Sequence, residues 1–371
     1  MKEKNEFKKI IITGGCGFIG SNFVRMMSNR FPDTKILVLD LLTYAGNIKN
    51  INDLFKSQKI SFVKCDISNQ KKVFDIFKNF LPDCIINFAA ESHVDRSIVN
   101  SRKFVETNVL GTQTLLEASK WIWDKNNEYD KDKRYIQIST DEVYGSSDNL
   151  FFNEKTPLDP HSPYAASKAS ADLLVKSYID THDFPAIITR CSNNYGPYQF
   201  PEKLIPLMIN NMLTGKKLPI YGDGKNIRDW IHVSDHCRGI IKILESSDYG
   251  EIYNIGSNNE ISNINLIKSL IKITRDEFEK NYNVQKRLTI SPNKINENLI
   301  KFVKDRPGHD KRYAIDNSKI KNIIRWKPMI SFKEGLKQTV QWYIHNYNWI
   351  ENITSGEYKT YYDKMYAIMG D

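Results

Sequence analysis

The sequence has 371 residues, 40% of them hydrophobic and 26% charged, with a formal net charge of +9. That composition describes an ordered globular chain with ample core material, and the length favours two lobes or one large domain with an extension. It argues against a membrane protein, because no window nears the run of about 18 apolar residues that a span requires, and against a nucleic-acid partner, because the basic residues lie dispersed among acids in doublets such as Lys8-Lys9, Lys71-Lys72 and Lys216-Lys217.

In chain order, the first element is a strand, Lys9–Thr13 (KIIIT), followed by a helix over Phe18–Ser28 and a second strand over Lys35–Leu39. A strand at Ile60–Lys64, a helix at Gln70–Phe80, a strand at Cys84–Phe88 and a long helix at Phe104–Trp123 come next. The polar segment Trp123–Lys133 reads as a surface loop before a fifth strand, Tyr135–Ser139; a helix over Tyr164–Thr181 and a strand over Ala186–Arg190 complete this half. Apolar runs with little alternation indicate strands covered on both faces, and strand–helix–strand repetition implies a doubly wound parallel sheet. After about Asn193, Pro197, Pro201, Pro206 and Pro219 with Gly196, Gly215, Gly222 and Gly224 break the rhythm. Candidates there are Glu251–Ile255 (strand), Asn265–Ile273 and Phe332–Tyr347 (helices), while Arg275–Lys304 is expected to form a peripheral loop. The expected division is residues 1–192 and 193–371, the second a smaller substrate-binding lobe that returns some chain to the first.

The first strand runs into Thr13-Gly14-Gly15-Cys16-Gly17-Phe18-Ile19-Gly20, in which Gly14, Gly17 and Gly20 fit GxxGxxG and Gly15, Gly17 and Gly20 fit GxGxxG. Glycines at this spacing allow a tight turn, close approach of a pyrophosphate and close helix packing, and the helix directs its first N–H groups at phosphate. The second strand leads to Asp40, twenty residues beyond Gly20, where a carboxylate accepts from ribose hydroxyls. No arginine follows it, so NAD is expected rather than NADP, on a Rossmann-type α/β sheet. Asp66, after the third strand, suits either an adenine contact or a plain strand-end cap.

Two further segments carry chemistry. Tyr164 and Lys168 lie four residues apart on one predicted helix and share a face. An ammonium beside a phenol, together with the cation of a bound nicotinamide, is expected to bring its pKa down from about 10 toward useful range. Ser139-Thr140-Asp141-Glu142 ends the fifth strand, on the side where parallel sheets bind ligands, and places a hydroxyl and two acids there for proton donation and abstraction. The five cysteines (Cys16, Cys65, Cys84, Cys191, Cys237) form no CxxC pair, so neither a metal site nor a disulfide framework is expected, and a reducing cytoplasm fits.

Together these segments resemble the extended short-chain dehydrogenase/reductase superfamily, and within it the dTDP-glucose 4,6-dehydratases. The resemblance spans nearly the whole chain and includes Ala89-Ala90-Glu91-Ser92-His93-Val94-Asp95-Arg96-Ser97, Cys191-Ser192-Asn193-Asn194-Tyr195-Gly196-Pro197-Tyr198, Phe200-Pro201-Glu202-Lys203-Leu204-Ile205-Pro206, Ile227-Arg228-Asp229-Trp230 and Asp305-Arg306-Pro307-Gly308-His309-Asp310. The acid pair discriminates, because related 4-epimerases lack it and GDP-mannose dehydratases typically keep only the glutamate. The resemblance implies oxidation of the sugar at C4 by NAD, loss of water across C5–C6 and reduction at C6. Thr140, Asp141, Glu142, Tyr164 and Lys168 would be catalytic, with Asp141 the acid for the departing hydroxyl and Glu142 the base at C5. Gly14, Gly17, Phe18, Ile19, Gly20, Asp40, Thr43, Asp66, Ile67, Ala89, Ala90, Thr107, Tyr164, Lys168 and Asn194 match cofactor positions. Ser92, Thr140, Asn193, Lys203, Arg228, Asn263, Arg306 and His309 match substrate positions. Family members are usually homodimers paired through the Phe104–Trp123 and Tyr164–Thr181 helices. This chain departs from many members in a shorter loop at Ser146–Pro163 and in an aromatic-rich tail, Ser355–Asp371. UDP-glucose 4,6-dehydratase and a catalytically silent NAD-binding scaffold remain open as alternatives.

Overall fold

The computed structural model describes residues 7–57, 60–125, 128–130, 132–147, 150–288, 290–305 and 307–354. Arg306 and the Ser355–Asp371 tail therefore lie outside the described residues.

The β-branched runs form seven parallel strands: β1 (Lys9–Thr13), β2 (Lys35–Asp40), β3 (Ile60–Lys64), β4 (Cys84–Asn87), β5 (Arg134–Thr140) and β6 (Ala186–Cys191) are joined, after three short excursions, by β10 (Ile252–Ile255). Every residue of β4, β5 and β6 is buried, which is why their sequences show no apolar–polar alternation. The edge strand β3 is largely half-exposed. The order is β10-β6-β5-β4-β1-β2-β3, so the direction of winding reverses between β1 and β4. A crevice opens at such a reversal beyond the carboxyl ends of the strands, and the glycine turn after β1 and the Ala89-Ala90 turn after β4 flank it.

Helices Phe18–Arg30, Gln70–Phe80 and Pro163–His182 follow their strands closely to expectation. Ser162 accepts from the Ala165 N–H, Pro163 occupies the first turn where no N–H is missed, and Asp183 turns left-handed to end the helix. The predicted Phe104–Trp123 helix is less regular: Ser101–Phe104 passes through a π-helical turn, Val105–Leu110, into Gly111–Trp123. That extra residue per turn re-aims the side chains around Thr107 and Asn108.

Beyond Asn193 the chain serves two bodies. The Val233–Ser246 helix and β10 join the core of the large sheet through Val233, Cys237, Ile240, Ile241 and Ile255. The remainder builds a second core around Tyr195, Met208, Trp230, Leu270 and Tyr343, between helices Leu204–Leu213, Asn263–Glu279 and Phe332–His345. Two small sheets complete it: β7 (Asn193–Tyr195), β9 (Ile227–His232) and β11 (Glu260–Ser262) in one, β8 (Leu218–Tyr221) and β12 (Ile300–Val303) in the other. Arg275–Lys304, expected to be a loop, instead finishes a helix at Glu279, forms a short helix at Tyr282–Arg287 and supplies β12. The correction is physical: β12 pairs in parallel with β8, Ile300 facing Leu218, a partner too distant in sequence for local pattern to reveal. The loop after Glu142 is fastened rather than loose, since Phe152 exchanges backbone hydrogen bonds with Ala314 and Asp316.

Candidate active site

A cleft of about 290 Å³ lies at the reversal point. Gly14 turns with φ +65°, and a Cβ there would lie 2.6 Å from the Ala89 backbone nitrogen; a Cβ on Gly20 would collide with the Gly14 carbonyl. Only glycine allows β1, β4 and the helix to meet this closely. The helix starts at Gly17 with no side chain capping it, so its first N–H groups are available to a ligand. A buried hydrogen-bonded ladder stiffens the floor, with Thr13 donating to Asn87 (2.6 Å) and Asn87 to Gln137 (3.0 Å).

Asp40 is buried and accepts from the N–H groups of Cys16 (2.9 Å) and Leu42 (2.8 Å). Burial raises its pKa, and those two hydrogen bonds counter the rise. Asp66 accepts from both the N–H and the hydroxyl of Ser68 while also facing the cleft.

All five expected catalytic residues, Thr140, Asp141, Glu142, Tyr164 and Lys168, lie in the wall of this one cleft. So do Gly14, Gly17, Phe18, Ile19, Gly20, Asp40, Thr43, Asp66, Ile67, Ala89, Ala90, Thr107 and Asn194, with Ser92, Asn193 and Lys203. Arg228, Asn263 and His309 stand outside that wall. Arg228 is buried, gives its NH2 to the Asp310 carbonyl (2.9 Å) and lies 4.2 Å over the Tyr313 ring. His309 meets Asp305 at 2.6 Å.

Asp141 is 2% exposed, and its Oδ2 has no hydrogen-bond partner among the described residues. Burial first, then the negative charges of Glu142 and Asp229, push its pKa well above the ordinary carboxylate value, against Arg228 and the Thr140 hydroxyl. It is therefore a buried carboxylic acid with a free oxygen. Ser192 Oγ and Asn193 Oδ1 are likewise buried without partners among the described residues, and both line the cleft. Orphaned polar atoms converging on one cavity mark a place for a polar ligand.

In the protein alone, without a nicotinamide cation, the Tyr164 phenol is not brought down. Burial, then Glu142, hold its phenol well above 10, and a Thr140 hydrogen bond offsets only part of this. Lys168 gives its ammonium to the Ile138 carbonyl at 2.5 Å and is itself lowered by burial, so it does not bring the phenol down. Desolvation wins over the lone lysine.

Several residues in or behind the wall were not anticipated as site residues. Glu202 is buried, pairs with Arg96 at 3.0 Å, and Arg96 lies 3.8 Å over Tyr44, which ties two loops to the short Val94–Val99 helix at the cleft edge. Asn108, from the π-helical turn, accepts from the Glu91 N–H and donates to the Glu91 carbonyl and Ser167, clamping the turn after β4 to the Tyr164 helix. The Phe200–Pro206 motif held a signal for Glu202; nothing local marked Asn108. Among the described residues no group of three or more His, Cys, Asp or Glu is placed to hold a metal, and no helix is long and apolar enough to cross a membrane.

This sheet, glycine turn and Tyr–Lys helix define an extended short-chain dehydrogenase/reductase. A profile of the family described as GDP-mannose 4,6 dehydratase matches residues 11–339. The dTDP-glucose 4,6-dehydratase of Shigella flexneri is 44% identical over 96% of this chain and 99% of its own length. DesIV, the dTDP-glucose 4,6-dehydratase of Streptomyces venezuelae, solved with NAD, superposes with a TM-score of 0.81 at 43% identity, covering 93% of this chain and 99% of that one. The Bacillus anthracis dTDP-glucose 4,6-dehydratase, also in complex with NAD, gives 0.79 at 43% identity over 93% and 99% of the two chains. The chain belongs to the dTDP-glucose 4,6-dehydratase family.

Proposed function

We propose that this cleft converts dTDP-glucose to dTDP-4-keto-6-deoxyglucose and water with tightly bound NAD, as an NAD-dependent hydro-lyase. The observation that carries the reading is the buried Asp141 carboxyl, one oxygen free, sharing a wall with Thr140, Glu142 and Tyr164 beyond the glycine turn. Epimerisation requires no such acid; expulsion of a hydroxyl does.

NAD suits the residues present: the uncapped helix start and glycine turn suit its pyrophosphate, and Asp40 its ribose. When bound, it supplies the acceptor for hydride from C4, the donor of hydride to C6 and, oxidised, a positive ring charge. Gly14, Gly17, Phe18, Ile19, Gly20, Thr43, Asp66, Ile67, Ala89, Ala90, Thr107 and Asn194 would form the rest of its seat. Tyr164 takes the proton from the 4-hydroxyl, with Thr140 donating to the phenol oxygen and Lys168 adding positive charge beneath. Because burial keeps the phenol protonated in the protein alone, its activation belongs to the loaded site. Once C4 is a ketone, the C5–H is acidic; Glu142 removes it, Asp141 gives its proton to the leaving 6-hydroxyl so that water departs, and Glu142 returns its proton to C5 when C6 is reduced. Ser92, Asn193 and Lys203 would hold the sugar side. Arg228, Asn263, Arg306 and His309 would address the nucleotide diphosphate, guanidinium being suited to it.

The homodimer expected from the resemblance is part of this reading. Ile98, Val99, Val105, Leu110 and Leu173 are exposed apolar side chains on helical segments that pack side by side, a face that a second copy would cover. Five buried free cysteines support a reducing, cytoplasmic setting. The division at residue 192 is retained as a functional one, cofactor before it and mainly nucleotide sugar after it.

The deciding experiment incubates the enzyme with dTDP-, UDP-, CDP- and GDP-linked glucose and follows proton NMR. A new C6 methyl doublet is expected with dTDP-glucose. A doublet with UDP-glucose alone would move the assignment to the uridine substrate, and none with any sugar would defeat the dehydratase reading.

A further inference from the structure

Tyr164, Lys168 and Asp172 recur every four residues along one helix and are all buried, at 8%, 5% and 1% exposure. Such spacing stacks them on one face. Asp172 is held from the neighbouring strand: Arg190 of β6 donates its Nε to Asp172 Oδ2 at 2.9 Å and its NH1 to the Tyr144 hydroxyl at 2.8 Å. Tyr144 in turn donates to Asn254 of β10 at 2.9 Å. A buried ion pair is a costly device for stability alone, and this one sits a single helical turn below the active-site lysine.

We propose that Asp172, fixed by Arg190, is a positioning residue that keeps the buried Lys168 side chain an ammonium beneath Tyr164. The proposal rests on the dehydratase reading, in which Tyr164 exchanges a proton with the sugar. Burial favours the neutral amine, and Asp172 is the foremost charge opposing it, followed by Cys191 of β6. Cys191 carries no charge near neutrality, because burial pushes its thiol to about 12. The other groups facing this pocket are Asp141 and Glu142 after β5, Arg190 on β6 and Tyr164 above. Burial pushes Asp141 toward its uncharged form, and Arg190 is paired with Asp172 at 2.9 Å. Asp172 is pushed up by its own burial, with Arg190 the main counterweight. The triad Lys168–Asp172–Arg190 therefore leaves one net positive charge, next to the phenol. In a neutral-lysine site Tyr164 would face only the negative Glu142.

The sign of the effect is fixed. Removing Asp172 lowers the lysine pKa, so the basic limb of the kcat profile moves to lower pH. Asp172→Asn tests this directly, and Asp172→Glu should restore the limb. Because Asp172→Asn strands Arg190 in the core, the double variant Asp172→Asn/Arg190→Gln removes both charges and keeps the fold testable. A second readout is the ε-carbon resonance of Lys168 in 13C-lysine-labelled enzyme, identified by its loss in Lys168→Arg. Its titration should move down in pH in the single and double variants, with or without turnover. A folded double variant whose kcat limb and lysine resonance both titrate as wild type would overturn the proposal and leave the dehydratase reading standing. A wild type that processes no nucleotide sugar overturns both.

Discussion

The two sides of the cleft are assembled differently. Before Asn193, most of the wall comes from short turns at the ends of β1, β2, β3, β4 and β5, each a contiguous motif set down where its strand stops, and Thr107, Tyr164 and Lys168 join it from helical segments. After Asn193, among the described residues only those within 193–203 reach the wall directly, and Arg228, Asn263 and His309 sit apart on β9, at the start of the Asn263–Glu279 helix and in the segment after β12. On the first side polar atoms are left without partners, as at Asp141 Oδ2 and Asn193 Oδ1 where the two sides meet. On the second, Arg228 is engaged by three backbone carbonyls and His309 by Asp305, while Asn263 Oδ1 is buried without a hydrogen-bond partner among the described residues. On the proposed function, the strand-end side would be a preformed reaction chamber, whereas Arg228 and His309 on the far side would have to release or share their donors to meet a nucleotide.

The largest effect should come from the chamber. Asp141→Asn keeps shape and removes the proton donor, so kcat should fall by about 10²- to 10⁴-fold. The expected signature is NADH that accumulates on the enzyme at 340 nm with the 6-hydroxyl retained; unchanged turnover would mean that the buried acid is not the donor. Next is Gly14→Ala, which places a Cβ against the Ala89 backbone at φ +65°. The left-handed conformation alone costs about 1–2 kcal/mol, and the clash must push the two turns apart. NAD affinity measured by fluorescence should drop sharply, and a variant that binds NAD as wild type would show that the turn is not the cofactor's seat.

On the far side the effects should be smaller and should split differently. Arg228→Lys loses the planar fork that reaches the carbonyls of Ile227, Asp310 and Lys311 and lies over Tyr313. Charged hydrogen bonds of this kind contribute about 1.5–3 kcal/mol, so urea denaturation should register a loss on that scale. KM for the nucleotide sugar should rise more than kcat falls. A pure kcat loss would place Arg228 with the chamber and erase the contrast.

The same contrast governs what could be read from sequence. The strands, the glycine turn, Asp40 and the Tyr164–Lys168 spacing are local patterns, so the large sheet and the cofactor side of the cleft were legible. Three kinds of feature were not. The partner of β12 lies about eighty residues earlier, in β8, so its pairing leaves no local trace. The π-helical turn that re-aims Thr107 and Asn108 follows from packing, with Gly111 close against Ile67, rather than from helical periodicity. The pKa of Tyr164 depended on how deeply it is buried, and residue spacing does not report depth. Arg228 was recognised by its motif, but its use within the protein appears only once Asp310 and Tyr313 are placed against it.

The smallest expected effect lies where the two sides are latched. His161, just before the Tyr164 helix, meets Asp310 at 2.6 Å, and Asp310 also accepts from Tyr313 at 2.7 Å beneath Arg228. The Asp310 hydrogen bond raises the His161 pKa above its ordinary value. A histidine raised on folding stabilises fully below its unfolded pKa, about 6.5, and that contribution is lost as pH climbs through the raised folded value. With the side chain 41% exposed, solvent screens the pair, so the amount should stay below about 1 kcal/mol. His161→Gln should flatten the decline in urea stability between pH 6.5 and the raised pKa without changing stability at higher pH. A decline that persists in the variant would assign it to another group. Equal slopes in variant and wild type would mean that the two sides are held by Arg228 and the backbone alone, with no titrating latch between them.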